Sequence, residues 1–265
     1  MAHTAKLDSK PNNSLWADSS TQRVSTPAIN SDCDVAIIGG GFSGLWTAYH
    51  LLQRNKNLSI SIFEAQRCGF GASGRNGGWA SSDYPVYWST LKKRYGSDRA
   101  TQLFDALVTS IDEIGEVART QAPQAHFVKS GTVMFARNIA QEKRLKANVD
   151  SSHHWLSASE LKKLINVQSA QGGLFNPHCA TVNPMGLVDG LVRALQKSGV
   201  SIFEGTYATR VHGGILANSA FVRAPIVIQA TEVFGNPGRE FIPLYSQMVA
   251  TEPLTDAIWS EIGAE

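Results

Sequence analysis

The apolar positions of this chain alternate between two rhythms. Residues 35–38 (VAII) are a short β-branched apolar run, the pattern of a strand buried on both faces of a parallel sheet. GGGFSG follows at once over 39–44. Leu45, Ala48, Leu51 and Leu52 then recur at helical spacing, and a second strand over 58–63 ends on Glu64. The predicted order is strand, glycine turn, helix, strand, acid.

Farther on, the stretch 68–79 reads CGFGASGRNGGW, too rich in glycine for a helix or a central strand, and is expected to be a loop. Leu103, Leu107, Ile111, Ile114 and Ala118 mark an amphipathic helix over 98–122, ended by Pro123. Strands are expected over 131–136 and 173–175. Between them a short helix over 161–165 is capped by Ser157 and Glu160, and His153 and His154 read as a surface pair ahead of it. The opening rhythm then returns, with Asn183 as N-cap, Pro184 at the first helical position, Leu187, Leu191 and Leu195 on one face, Gly199 as the stop, and a strand over 200–203. Residues 224–230 (APIVIQA) are a further buried strand, and 244–250 is expected to return as a strand to the other sheet. A parallel pattern interrupted by an antiparallel insertion and then resumed implies an α/β chain of two interleaved domains.

The opening stretch has the chemistry of dinucleotide binding. Gly39 permits the tight turn, Gly41 lets backbone amides approach a pyrophosphate, and Gly44 lets helix and strand pack closely. The anion then rests on the helix N-terminus. Glu64, about 20 residues past Gly44, stands where a carboxylate accepts hydrogen bonds from an adenosine ribose and repels a 2′-phosphate. The motif alone does not separate FAD from NAD.

Composition removes other classes. A net charge of +2, from 24 basic and 22 acidic residues, leaves no basic footprint, so no nucleic-acid partner is expected. Cys33, Cys68 and Cys179 are odd in number, widely spaced and without C-x-x-C, which points to buried thiols in a reducing compartment. His153, His154 and Glu160 lack a third ligand at metal-site spacing, so no metal is expected. No apolar run approaches the roughly 18 residues of a membrane span, and no h-region opens the chain. The expected protein is cytoplasmic, with no membrane partner.

GFGASGRNGGW, following DVAIIGGGFSGLWTAYHL, strongly resembles the FAD-dependent amine and amino-acid oxidoreductases related to D-amino-acid oxidase, sarcosine oxidase and γ-glutamylputrescine oxidase. SGTVMFAR, NPMGLVDGLVRAL, APIVIQATE and YSQMVATEPL continue the likeness in order, over residues 31–265. The resemblance implies FAD and a Rossmann-like FAD-binding domain interleaved with a mixed or antiparallel-sheet substrate domain. Gly39, Gly40, Gly41, Phe42, Ser43 and Gly44 then match the pyrophosphate turn, and Glu64 with Ala65 the ribose end. Ser73, Gly74, Arg75, Asn76, Gly77 and Gly78 match a loop that passes beside the pyrophosphate and flavin, where glycine amides and one cation suit a diphosphate or an anionic reduced flavin. Ala208 falls at the adenine, and Ala230 with Thr231 closes the strand beneath the cofactor.

Residues 1–32, rich in Ser, Thr, Asn and Pro, are expected to be a flexible leader with Trp16 as its anchor, and the rest divides into FAD-binding parts at 33–95 and 183–243, a substrate-domain insertion at 96–182, and the start of a returning substrate-domain segment at 244–265. The resemblance implies oxidation of the C–N bond of a small-molecule amine or amino acid by hydride transfer to flavin, with oxygen or another electron acceptor. Such a transfer needs no dedicated acid or base, so no catalytic residue is named. Relatives continue beyond the position of Glu265, so the substrate sheet is expected to be incomplete. The alternatives are a catalytically incomplete dinucleotide-binding fragment and an NAD-dependent dehydrogenase.

Overall fold

The computed structural model describes residues 14–16, 29, 32–150, 152–235, 242, 244 and 246–263. The leader expected over 1–32 therefore lies outside the described residues except at Ser14, Leu15, Trp16, Ile29 and Asp32. In chain order the elements are β1 (Val35–Ile38), α1 (Phe42–Arg54), β2 (Ile60–Phe63), β3 (Trp79–Ser81), α2 (Trp88–Tyr95), α3 (Ser97–Gln121), β4 (Thr132–Ala136), α4 (Ile139–Lys146), β5 (His154–Ser157) and α5 (Ala158–Leu161). They continue with β6 (Gly172–Asn176), β7 (Cys179–Thr181), α6 (Pro184–Lys197), β8 (Ser201–Phe203), β9 (Ala208–Val211), β10 (Gly214–Ala217), β11 (Ala220–Arg223), β12 (Ile226–Gln229) and α7 (Asp256–Ile262). Two compact units result. One holds Met1–Gly78, Val117–His126 and Asn183–Met248, the other Trp79–Glu116, Phe127–Val182 and Val249–Glu265.

The first unit is built on a parallel sheet of order β12-β1-β2-β8. β1 and β2 are buried at every position, as strands covered on both faces must be. Alternation assigns the faces. Ile37 points to α1, where a Cβ on Gly44 would lie 3.3 Å from its methyl group, whereas Ala36 and Ile38 join Phe63, Phe203, Ile215 and Val222 in a separate core. That second core lies under the antiparallel sheet β11-β10-β9, and within it the register partners Phe63 and Phe203 stack with centroids 5.0 Å apart. α6 starts as its sequence dictates, Asn183 accepting from the Gly186 amide at 3.0 Å with Pro184 next in line. Its closing glycine, Gly199, has φ +88 one place past the Ser198 cap.

The second unit contains the antiparallel sheet β4-β6-β5 and the pair β3-β7. The Ser157–Glu160 capping box is present, but it starts α5 directly at Ala158 and ends it at Leu161, ahead of the expected span. His153 is no surface residue. It is buried, its Nδ1 3.0 Å from Asp150 and its Nε2 3.0 Å from Asp83, so it ties two loops together. The strand expected over 244–250 is absent among the described residues there, Leu244 and Val249 being more than nine-tenths exposed with no ladder partner. Farther on lies α7, capped by Thr255 and fastened by Asn166, whose backbone amide donates to the Ile262 carbonyl at 2.6 Å. No helix among the described residues is long and apolar enough to cross a membrane.

Candidate functional site

The first unit holds a cleft of about 970 Å³ at the carboxyl ends of β1, β2 and β12. Its position follows from the topology. From β1 the chain passes through α1 to β2 on one side, while β12 lies on the other side, so the ends of the strands diverge around β1.

The glycine turn forms the floor. Gly39 has φ +109, and a Cβ there would meet the Ala230 carbonyl oxygen at 2.3 Å, so both the backbone conformation and the end of β12 demand glycine. A Cβ on Gly44 would lie 2.0 Å from the Gly39 carbonyl oxygen, which is how closely α1 descends on the turn. Gly41 is the N-cap of α1 and gives it no side-chain cap, and the first turn carries no acidic residue. The Phe42 amide donates to Ser73 Oγ at 2.9 Å. A hydroxyl that accepts in this way still has its own proton to donate.

Glu64 closes the side wall. Its Oε2 accepts from the Gly40 amide at 2.7 Å and its Oε1 from the Gln66 amide at 2.9 Å, which fixes the end of β2 to the turn. Of the residues singled out in the sequence, the cleft brings together Gly39, Gly41, Phe42, Ser43, Glu64, Ala65, Ser73, Ala208, Ala230 and Thr231. Gly40 and Gly44 lie behind the wall; a Cβ on Gly40 would meet Cys68 Sγ at 2.5 Å. The rest of the glycine loop also turns away from it. Gly74 packs on Met185, the Arg75 guanidinium lies 4.5 Å over the Phe70 ring, Asn76 folds back onto the Ala72 and Ser73 carbonyls, and neither Gly77 nor Gly78 reaches the wall.

Other wall residues escaped the sequence reading. Gly69, Phe70, Gly71 and Ala72, from the front of the same loop, line the cleft where its later residues do not. Thr206, Tyr207, Thr209 and Arg210 flank Ala208, and Thr47 sits one turn into α1. Phe70 and Gly71 could have been found from the glycine spacing. Arg210 could not, because its strand follows no apolar run.

The sequence profile of the family described as DAO, FAD dependent oxidoreductase, matches residues 34–264. The chain belongs to that family. It is 28% identical to a probable oxidoreductase OrdL of Haemophilus influenzae, over 92% of this chain and 62% of that protein. It is 25% identical to gamma-glutamylputrescine oxidoreductase of Escherichia coli, over 84% of this chain and 56% of the relative. The chain thus spans about three-fifths of the length of these relatives. Among solved structures, L-proline dehydrogenase from P. horikoshii shares its fold, with a TM-score of 0.62 at 16% identity over 78% of this chain and 55% of that one.

FAD is the cofactor of the DAO family. The cleft suits its ADP half on three counts: a cradle at Gly41 that a larger residue would fill, an α1 N-terminus without a carboxylate of its own, and Glu64 at the end of the neighbouring strand.

Proposed function

We propose that this chain is a flavoprotein that oxidises the C–N bond of a small amine or amino acid. In this reading Gly39, Gly41, Phe42 and Ser43 present the α1 N-terminus to the pyrophosphate, and Ser73 donates its hydroxyl proton to a phosphate oxygen. Glu64, with Ala65 beside it, accepts from the adenosine ribose hydroxyls. Ala208 borders the adenine, and Ala230 with Thr231 supports the cofactor from β12. Gly40, Gly44, Gly74, Asn76, Gly77 and Gly78 shape the turn and the loop. Arg75 supplies a positive charge near that loop while stacked on Phe70.

When bound, FAD supplies the two-electron acceptor for the hydrogen on the carbon that bears nitrogen. The chain's own task is to bind and orient. Residues 33–95 and 183–243 carry the nucleotide site, residues 96–182 belong to substrate binding, and residues 244–265 begin a further substrate-binding segment. The electron acceptor that follows is oxygen or another oxidant. The observation that carries this reading is the cleft at the strand ends lined by Gly41, Ser73 and Glu64.

The experiment is to purify the protein, record its absorption in the blue, release and identify the flavin, and supply a panel of amines and amino acids. Hydrogen peroxide formed in oxygen, or dye reduced without it, supports the assignment. Binding of NAD in place of flavin would overturn it.

A further inference from the structure

Two hydrogen bonds in the first unit join residues 60 positions apart in the sequence. Ser14 Oγ donates to the Gly74 carbonyl at 2.7 Å, and the indole Nε1–H of Trp16 donates to the Asn76 carbonyl at 2.9 Å. The Trp16 amide returns to Ser14 Oγ at 3.2 Å, which holds the two side chains as one clasp. Ser14 and Trp16 belong to none of the elements around the cleft. What they grip does.

The gripped loop carries Ser73, which accepts from Phe42 at the first turn of α1 and stands on the cleft wall. Its carbonyls are taken in turn: Ala72 and Ser73 by the Asn76 side chain at 3.3 and 3.0 Å, Gly74 by Ser14, and Asn76 by Trp16. Glycines at 71, 74, 77 and 78 make this loop costly to order, because glycine loses the most conformational freedom on folding. Bonds from outside the loop offset that cost.

We propose that the segment Ser14–Trp16 is a strap whose two donors position Ser73 against the glycine turn, so that this segment sets how tightly the cleft holds a pyrophosphate. Ser14 and Trp16 are positioning residues and touch no cofactor atom. The proposal rests on the cleft being the FAD site, and its test separates the two. By reciprocity, FAD bound at Ser73 tightens the strap as much as the strap tightens FAD.

The test compares the full chain with the double variant Ser14→Ala, Trp16→Phe and with the conservative variant Ser14→Thr, each as apoprotein titrated with FAD and with adenosine. Loss of two neutral hydrogen bonds that act through a loop should weaken FAD about tenfold. Adenosine, which has no phosphate, should bind unchanged, and Ser14→Thr should retain the affinity of the parent. A second arm measures tryptic cleavage after Arg75, an exposed residue between the two gripped carbonyls. It should be faster in the double variant and slowed by FAD in the parent.

Equal FAD affinity in parent and double variant overturns the proposal, and so does an equal loss for adenosine, which would mean general damage to the cleft. If the parent takes up no flavin at all, the cofactor reading falls instead. The tryptic arm then decides the strap alone, equal cleavage rates refuting it.

Discussion

Glu64 is the residue whose replacement reads most about the cleft. Its carboxylate accepts two backbone amides, Gly40 at 2.7 Å in a partly buried position and Gln66 at 2.9 Å in an exposed one. Glu64→Gln keeps the shape but leaves one oxygen for two donors. That oxygen stays with Gly40, since Gln66 can turn to water. The Gly40 bond falls from charge-assisted to neutral, a loss of about 1 kcal/mol, and the exposed Gln66 bond adds about 0.5 kcal/mol. The apoprotein should therefore lose about 1.5 kcal/mol, seen as a lower urea midpoint with unchanged slope. The ribose contact weakens with the loss of charge, so FAD should bind roughly tenfold more weakly, about 1.4 kcal/mol. Far-UV circular dichroism against urea gives the first number and flavin fluorescence titration the second. An unchanged urea midpoint would show that the carboxylate does not hold the turn, and unchanged FAD affinity would show that it faces away from the ribose.

Gly41→Val places its branch beside Ser73 Oγ, already 3.0 Å from the position of a Cβ, so purified protein should lose its flavin while its far-UV spectrum is kept. Gly44→Ala puts a methyl 2.0 Å from the Gly39 carbonyl oxygen; α1 must lift, at a cost of about 3 kcal/mol, read as a large fall in the urea midpoint even without FAD. In the second unit, the hydrogen bond to Asp83 raises the pKa of His153 against the effect of burial. Asp83 is lowered chiefly by its hydrogen bond from His153, and Asp150 is lowered because the bonds from Ser152 and His153 outweigh its burial. The stability from His153 is complete below its ordinary 6.5 and lost as pH rises through the raised value, whereas that from the carboxylates is complete above 3.8 and lost as pH falls through the lowered ones. Unfolding followed across pH should therefore show this contribution at its fullest between about pH 4 and 6.5. His153→Leu should flatten that maximum; a profile that keeps it would refute the assignment.

The parallel half of the fold was legible because its signals are local. VAII, the glycine turn and the helix from Asn183 to Gly199 each announce an element through its own residues, and burial on both faces leaves β1 no polar position to blur the pattern. The hairpins from β9 to β11 were not legible. Their four-residue strands mix buried and exposed positions without a regular alternation, and one of their turns is built on Asn218 and Ser219, at φ 45 and 79, in place of glycine. A strand was expected over 244–250 from composition alone, but composition cannot say whether a neighbour is there to pair with.

The site divides along a different line. Gly39, Gly41 and Glu64 were recognisable because a dinucleotide demands their residue types at fixed spacing, whereas the glycine loop announced flexibility without direction. Direction comes from contacts made at a distance. Asn76, expected beside the cofactor, instead ties the loop to itself, and Arg75 lies on Phe70, so that of residues 73–78 only Ser73 reaches the wall. What turns Ser73 inward is a set of partners far away in sequence: Phe42, 31 residues before it, and the Ser14–Trp16 clasp on its neighbours. A glycine-rich segment has few side chains with which to encode its own conformation, so Asn76 supplies part of the information and the rest is stored elsewhere in the chain.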